Sequence, residues 1–180
     1  MKNVFRLTAT KQAALLFTTG ILLVNNPTIT KAADEPVMGM PNPMVEYNSV
    51  IDARKAAGFM PLYLPEISGY HVKEVFVYHK DLVDIRYAAD NSQTQMQIRT
   101  AKAGRQSGDD ISGIYGVKWE KESIAGIEVA IAKLPAGSNG YAAHWAVNGM
   151  LFSVTAEHIA QPEFQHILKS GLVDLSRHYF

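Results

Sequence analysis

Cysteine is absent from the 180 residues of this chain. The sequence therefore excludes disulfide frameworks, thiolate nucleophiles, zinc–thiolate sites and the lipid attachment of a lipoprotein. Net charge is also absent, since 17 basic residues balance 17 acidic ones, and this balance argues against a basic nucleic-acid binder. Charged residues make up only 19% of the chain and apolar residues 47%, which is typical of a globular protein with a core.

A bilayer-spanning run is missing as well. The most apolar stretch near the N-terminus is Ala13–Val24, whereas a membrane helix needs about 20 apolar residues. Small residues follow it at Ala32 and Ala33, and the basic residues ahead of it are Lys2, Arg6 and Lys11. This order predicts a secretory signal peptide over residues 1–33. A retained N-terminal anchor is the alternative.

Cleavage of residues 1–33 changes the charge balance of the chain. It removes four of the 17 basic residues and none of the 17 acidic ones, which leaves a net charge of −4. A mildly acidic exported chain has no electrostatic attraction to nucleic acid or to anionic lipid. We therefore expect no nucleic-acid partner and no stable membrane anchor after cleavage. Periplasmic and extracellular locations both stay open.

The exported part divides into a lead-in and one domain. Residues 34–47 contain three prolines and scattered methionines, which predicts a flexible linker, and residues 48–180 are expected to form a single domain. Asn48 or Ser49 can cap a helix that runs to about Ala57 and ends at Gly58.

A second helix is predicted near the C-terminus. Pro162 suits its first turn, and Gly171 suits a position just beyond its end. Its apolar stripe consists of Phe164, Ile167 and Leu168, which share one face at helical spacing.

Strands occupy the region between the two helices. Asn148-Gly149 favours a two-residue hairpin turn and predicts that Trp145 faces Phe152. A second turn at Asp90-Asn91 would pair Ile85 with Met96 and place polar partners such as Arg86 and Gln95 on the opposite face. Residues 101–113 read as a polar loop, and Tyr115–Glu122 alternates like a further strand.

One turn conflicts with this pattern. A turn at Lys80-Asp81 would leave Val75 and Val77 on the polar face of the sheet. Either that turn is misplaced, or something covers part of the second face. The sum of these patterns is an α+β domain, in which a single antiparallel sheet of about six or seven strands, built from hairpins, carries an N-terminal and a C-terminal helix.

Three stretches resemble a known bacterial family. They are residues 62–70, 145–154 and 163–171. They are similar to an extracytoplasmic family called domain of unknown function 4367, seen in exported proteins and in the outer parts of anti-sigma-type regulators. The resemblance spans about residues 48–175. It implies a non-catalytic extracytoplasmic module and carries over no catalytic residue.

The polar face of the predicted sheet supplies the candidate binding residues, which are Arg86, Gln95, Gln97 and His144. The alternative surface is the Val75/Val77 patch. His144 would face Ser153 across the Asn148-Gly149 hairpin, a pair that suggests a nucleophile and base. However, the chain has no nucleophile-elbow motif and no identifiable orienting acid.

Other chemistries find weaker support in the sequence. Glu163 and His166 lie one helical turn apart, close to His158, but a metal site needs a further ligand; we expect no metal. No glycine-rich phosphate loop or dinucleotide fingerprint occurs, so we expect no nucleotide cofactor. Glu120 and Glu122 are interleaved with lysines, which favours a solvated strand face over a glycosidase pair.

These observations predict a non-catalytic binding or sensing module of the bacterial cell envelope. Its partner is expected to be an unknown protein or small ligand, and the chain itself a monomer or weak dimer. The alternatives are a small exported hydrolase and a metal or haem carrier that uses histidines.

Overall fold

The computed structural model describes residues 43–64, 69–90, 93–104 and 108–178. The predicted signal peptide, residues 1–33, lies outside these ranges, as do residues 34–42 of the predicted lead-in and Asn91 of the predicted turn. No helix in the described ranges combines the length and the apolar character needed to cross a membrane.

The fold is α+β, with one antiparallel sheet of eight strands. The order of strands across the sheet is β1-β2-β3-β4-β8-β7-β6-β5. The strands are β1 Met44–Tyr47, β2 Tyr70–Tyr78, β3 Leu82–Ala89, β4 Gln95–Lys102, β5 Glu120–Ile124, β6 Ile127–Lys133, β7 Gly140–Val147 and β8 Met150–Glu157. Two meanders therefore meet at the centre, where β4 pairs with β8.

The strand count corrects the expectation of six or seven. The extra strand is β1, whose residues Met44 and Tyr47 pair with Tyr78 and Val75 of β2. This segment was expected to belong to the flexible lead-in, and that expectation is wrong for its last four residues. Pro41 and Pro43 stand just before this segment and favour a loop in the sequence pattern. However, proline is tolerated at the start of a short edge strand such as β1.

Helix α1 spans Val50–Ala57 as predicted. The Ser49 hydroxyl accepts a hydrogen bond from the Asp52 N–H, and Gly58 ends the helix in the left-handed region at φ 72°. Both caps satisfy backbone groups that the helix leaves without partners.

The C-terminal helix also forms where the sequence indicates. Helix α2 spans Gln161–Ile167 and buries Phe164 and Ile167. The chain continues through Leu168–Leu172, where Gly171 makes a kink at φ 116°, into the short helix α3, Val173–Leu175.

The core lies between one face of the sheet and these helices. Phe164 of α2 stacks on Tyr141 of β7 at 5.8 Å between ring centroids. Trp145 and Phe152 stack at 5.6 Å, in the register that the Asn148-Gly149 turn predicts. The opposite face of the sheet carries no helix of the described residues and is mostly polar.

Two hairpin predictions need correction. The β3–β4 pair forms, but Ile85 faces Ile98 rather than Met96, a shift of two residues. The β2–β3 turn contains three residues, His79, Lys80 and Asp81, instead of two.

The longer turn resolves the conflict over the two valines. It pairs Val77 with Val83 and buries Val75 and Val77 in the core, at 2% and 3% exposure. The proposed Val75/Val77 surface patch is therefore wrong.

Candidate functional site

The polar face of the sheet presents its side chains in rows that run across the strands. Register places Glu74 of β2 beside Arg86 of β3, Gln97 of β4 and Thr155 of β8. Because neighbouring strands lie about 4.8 Å apart, this row brings four polar side chains from four strands onto one surface.

A shallow groove of about 370 Å³ lies along this row. Its lining residues are Lys73, Glu74, Arg86, Tyr87, Ala88, Gln95, Met96, Gln97, Thr155 and Glu157. We call this feature the polar groove. Tyr87 and Met96 belong to the core on the other face and are each only 2% exposed, so they border the groove through their backbone.

An irregularity in β2 widens the polar rim of the groove. Val72 pairs with Tyr87 and Glu74 pairs with Arg86, so Lys73 is an extra residue in the ladder. A β-bulge of this kind re-aims side chains and recurs next to functional sites. Here it allows the consecutive residues Lys73 and Glu74 to line the same groove.

Arg86 is held from two sides. Its Nη1 donates to Glu74 Oε2 at 3.1 Å, and its guanidinium lies 4.7 Å from the centroid of the Phe76 ring. The ion pair with Glu74 compensates the charge of the Arg86 guanidinium, and the Phe76 ring makes a cation–π contact with it. Arg86 therefore presents a fixed cluster of N–H donors at the groove.

Beneath the groove lies the fully buried carboxylate of Asp84. Its Oδ2 accepts hydrogen bonds from Gln97 Nε2 at 2.6 Å and from Arg99 Nε at 3.2 Å. Oδ1 has no hydrogen-bond donor among the described residues and lies 4.0 Å from Arg86 Nε. A carboxylate only accepts, so Asp84 fixes the Gln97 amide with its nitrogen inward and its carbonyl oxygen available on the other side.

Arg99 links this network to the connection between β4 and β5. Its Nη1 donates to the carbonyl oxygens of Ile111 at 3.1 Å and Ser112 at 2.9 Å. A Cβ on Gly113, where φ is +74°, would lie 2.9 Å from the same nitrogen. We call residues 108–119 the crossover segment.

The crossover segment covers part of the polar face. Ile111 is buried against Ala101 and Leu151, whose register places them on that face. Strand β5 begins only at Glu120, so the predicted strand Tyr115–Glu122 is wrong over its first five residues. The Tyr115 side chain is 85% exposed.

His144 lies in a different part of the same face. The strand order β3-β4-β8-β7 separates it from Arg86 by three strand spacings, or about 14 Å laterally. Its ring is half-buried and makes an edge contact with Trp119 at 4.5 Å. It borders a separate cavity of about 430 Å³ together with Asp109, Lys121 and Glu128.

The pairing of His144 with Ser153 is confirmed, but its surroundings do not fit nucleophilic catalysis. Ser153 is only 1% exposed, so a substrate cannot reach its hydroxyl directly. Within the described residues no hydrogen bond joins the two side chains or ties His144 to a carboxylate. A nucleophile needs both a base in contact and access to substrate.

The histidines in and just before helix α2 do not form a cluster either. Glu163 accepts a hydrogen bond from the Tyr70 hydroxyl at 3.3 Å, while His158 and His166 are exposed. Burial, together with the Glu163 charge, raises the pKa of Tyr70 to about 12. Over the described ranges, no group of three His, Asp or Glu side chains is placed to hold a metal ion.

Three of the four candidate residues therefore meet in one groove, and His144 does not join them. Sequence reasoning missed Lys73, Glu74, Thr155 and Glu157. These residues share one face of adjacent strands, and a sequence pattern can show this only when the strand order is known.

Comparisons with protein-family models, curated proteins and solved structures find no match to this chain.

Proposed function

We propose that this chain is an exported, non-catalytic binding module of the bacterial cell envelope, and that its ligand occupies the polar groove. The observation that supports this proposal is the buried carboxylate of Asp84, which fixes the Gln97 amide at the groove floor. Side chains fixed before binding lose little conformational entropy when a ligand arrives. The envelope location rests on the predicted signal peptide.

The chemistry of the groove supports binding rather than turnover. Among the described residues, the titratable side chains that face it are Lys73, Glu74, Arg86 and Glu157, and the one hydroxyl group belongs to Thr155, because the Tyr87 side chain lies in the core. Glu74 is already paired with Arg86, and no histidine lines the part of the groove that the structure describes. General acid–base catalysis needs a proton-transferring group positioned at a reacting atom. None of these side chains forms a hydrogen-bonded pair of nucleophile and base.

Ligand retention tests the proposal. The purified chain is equilibrated across a dialysis membrane with the low-mass fraction of an envelope extract, and the bound compounds are identified by mass spectrometry. We expect Arg86→Ala to retain at least ten-fold less of a bound compound, because charge-assisted hydrogen bonds contribute about 1.5–3 kcal/mol each. Arg54→Ala is the matched control, since Arg54 is exposed on α1 and should leave retention unchanged.

Three results would contradict the proposal. Retention that depends on His144 and is unaffected by Arg86→Ala would move the binding site to the other cavity. Conversion of an added ester, phosphate or glycoside, lost in Ser153→Ala, would favour the hydrolase alternative. The carrier alternative would require stoichiometric retention of zinc or haem that is lost in His158→Ala or His166→Ala.

A further inference from the structure

The charges of the polar groove are already balanced. The Arg86 guanidinium is paired with Glu74, and the buried Asp84 carboxylate with Arg99. Lys73 and Glu157 add one charge of each sign at the rim. A charged ligand would meet no net field here and would have to compete with an existing partner for any full charge.

Apolar ligands and extended peptides also fit poorly. Of the described residues that line the groove, only Ala88 offers an apolar side chain, because Tyr87 and Met96 point into the core. The strands beneath its centre, β3 and β4, each pair with a neighbour on both sides. At the rim, β2 pairs with β1 only from Val75 to Tyr78, so its stretch through Lys73 and Glu74 has no described strand on the outer side. A peptide added to that edge would lie beside β2 in the plane of the sheet and not over the groove.

The groove therefore offers a ligand mainly uncharged hydrogen-bonding groups and the N–H donors of Arg86. Arg86 supplies N–H donors, Gln97 an oriented carbonyl oxygen, and Gln95 and Thr155 groups that both donate and accept. Hydroxyl groups are donors and acceptors at once, so adjacent hydroxyls can satisfy such a surface without carrying charge. A volume of about 370 Å³ is at the small end of ligand sites, which fits a small unit.

We infer that the polar groove binds a neutral, hydroxyl-rich saccharide unit, either free or at the end of a longer chain. This inference rests on the proposed function and names the class of ligand for the same groove. Recognition uses hydrogen bonds to the hydroxyl groups from the fixed side chains of β3 and β4.

Titration calorimetry with defined oligosaccharides tests the inference. The neutral probes are maltotetraose, cellotetraose and tetra-N-acetylchitotetraose, and the charged probes are trigalacturonic acid and deacetylated chitotetraose. We expect at least one neutral probe to bind, with a Kd that changes less than about two-fold between low and high salt, because no ion pair forms.

Matched glutamine variants locate the binding. Gln95 lines the groove, whereas Gln93 is exposed in the preceding turn. Gln95→Ala should weaken the neutral probe by about five-fold, the equivalent of one net hydrogen bond of about 1 kcal/mol. Gln93→Ala should leave the Kd unchanged, and both variants should unfold at the same urea concentration as the parent.

The outcomes separate this inference from the proposed function. Binding of charged probes only, or of no saccharide, would overturn the inference. The proposed function would still stand if an extract compound of another class required Arg86. It would fall too if no compound, saccharide or otherwise, depended on a groove residue.

Discussion

Replacement of Trp145 by alanine should be among the most damaging single changes in this chain. The side chain is 2% exposed and stacks on Phe152 at 5.6 Å, and its Nε1 donates to Ser176 Oγ at 2.9 Å. Removing a buried tryptophan costs about 3–5 kcal/mol. The hydrogen bond adds about 1 kcal/mol, so we expect the upper end of that range, about 4–5 kcal/mol.

The neighbouring residue provides the control. From strand alternation alone, His144→Ala would change the unfolding free energy by no more than about 0.5 kcal/mol. Its edge contact with Trp119 adds about 0.5–1.5 kcal/mol, so we expect a loss of about 1 kcal/mol. Urea unfolding followed by far-UV circular dichroism measures both variants. Equal losses for His144→Ala and Trp145→Ala would refute the assignment of these residues to opposite faces.

Three further predictions concern backbone fit, pH and export. Gly140→Ala should cost at least about 3 kcal/mol in urea unfolding, because a Cβ there would clash with the backbone of β8, whereas Gly108→Ala, which meets nothing within 4 Å, should be nearly neutral. The folded state holds the Tyr70 proton more tightly, with a pKa of about 12 against 10.0. The unfolding free energy should therefore fall as pH rises from about 10 to 12. Because solvent screens the Glu163 charge, the loss should stay below about 2.7 kcal/mol, the equivalent of two pKa units. Tyr70→Phe should flatten that slope, and an unchanged slope would refute its origin. Intact-mass measurement of the chain recovered outside the cytoplasm should show a first residue near Ala33 or Asp34, and full-length chain in the membrane fraction would contradict export.

Turn chemistry explains which parts of the sheet are predictable from sequence. Asn148-Gly149 fixes both the turn and the register of β7 with β8, because both residues adopt positive φ, 53° and 75°, as a two-residue hairpin turn requires. The β3–β4 pair lacks such a signal. Its alternation of apolar and polar residues is the same in two registers that differ by two residues. The sequence pattern therefore places Ile85 on the correct face but opposite the wrong partner.

The crossover segment shows a second limit. Residues Tyr115, Val117 and Trp119 alternate as a strand does, yet this part of the chain precedes β5 and runs over the polar face. Its position depends on Arg99, which holds the carbonyl oxygens of Ile111 and Ser112. A contact between a strand and a distant loop leaves no periodic trace in sequence.

The candidate site was predictable to the extent that it depends on local pairing. Arg86, Gln95 and Gln97 share a face of adjacent strands in any even register, so their meeting in one groove follows from the β3–β4 hairpin. The position of His144 depends instead on the central pairing of β4 with β8. That long-range contact sets the distance across the sheet, and the sequence patterns do not encode it.

The most direct test of a ligand site in the polar groove is an amide chemical-shift map of the isotope-labelled chain. The probe is the retained extract compound or the tightest-binding oligosaccharide. We expect the largest shifts at the side-chain amides of Gln95 and Gln97 and at the backbone of Lys73 and Thr155. Shifts centred instead on the cavity beside His144, with the groove signals unmoved, would contradict the account.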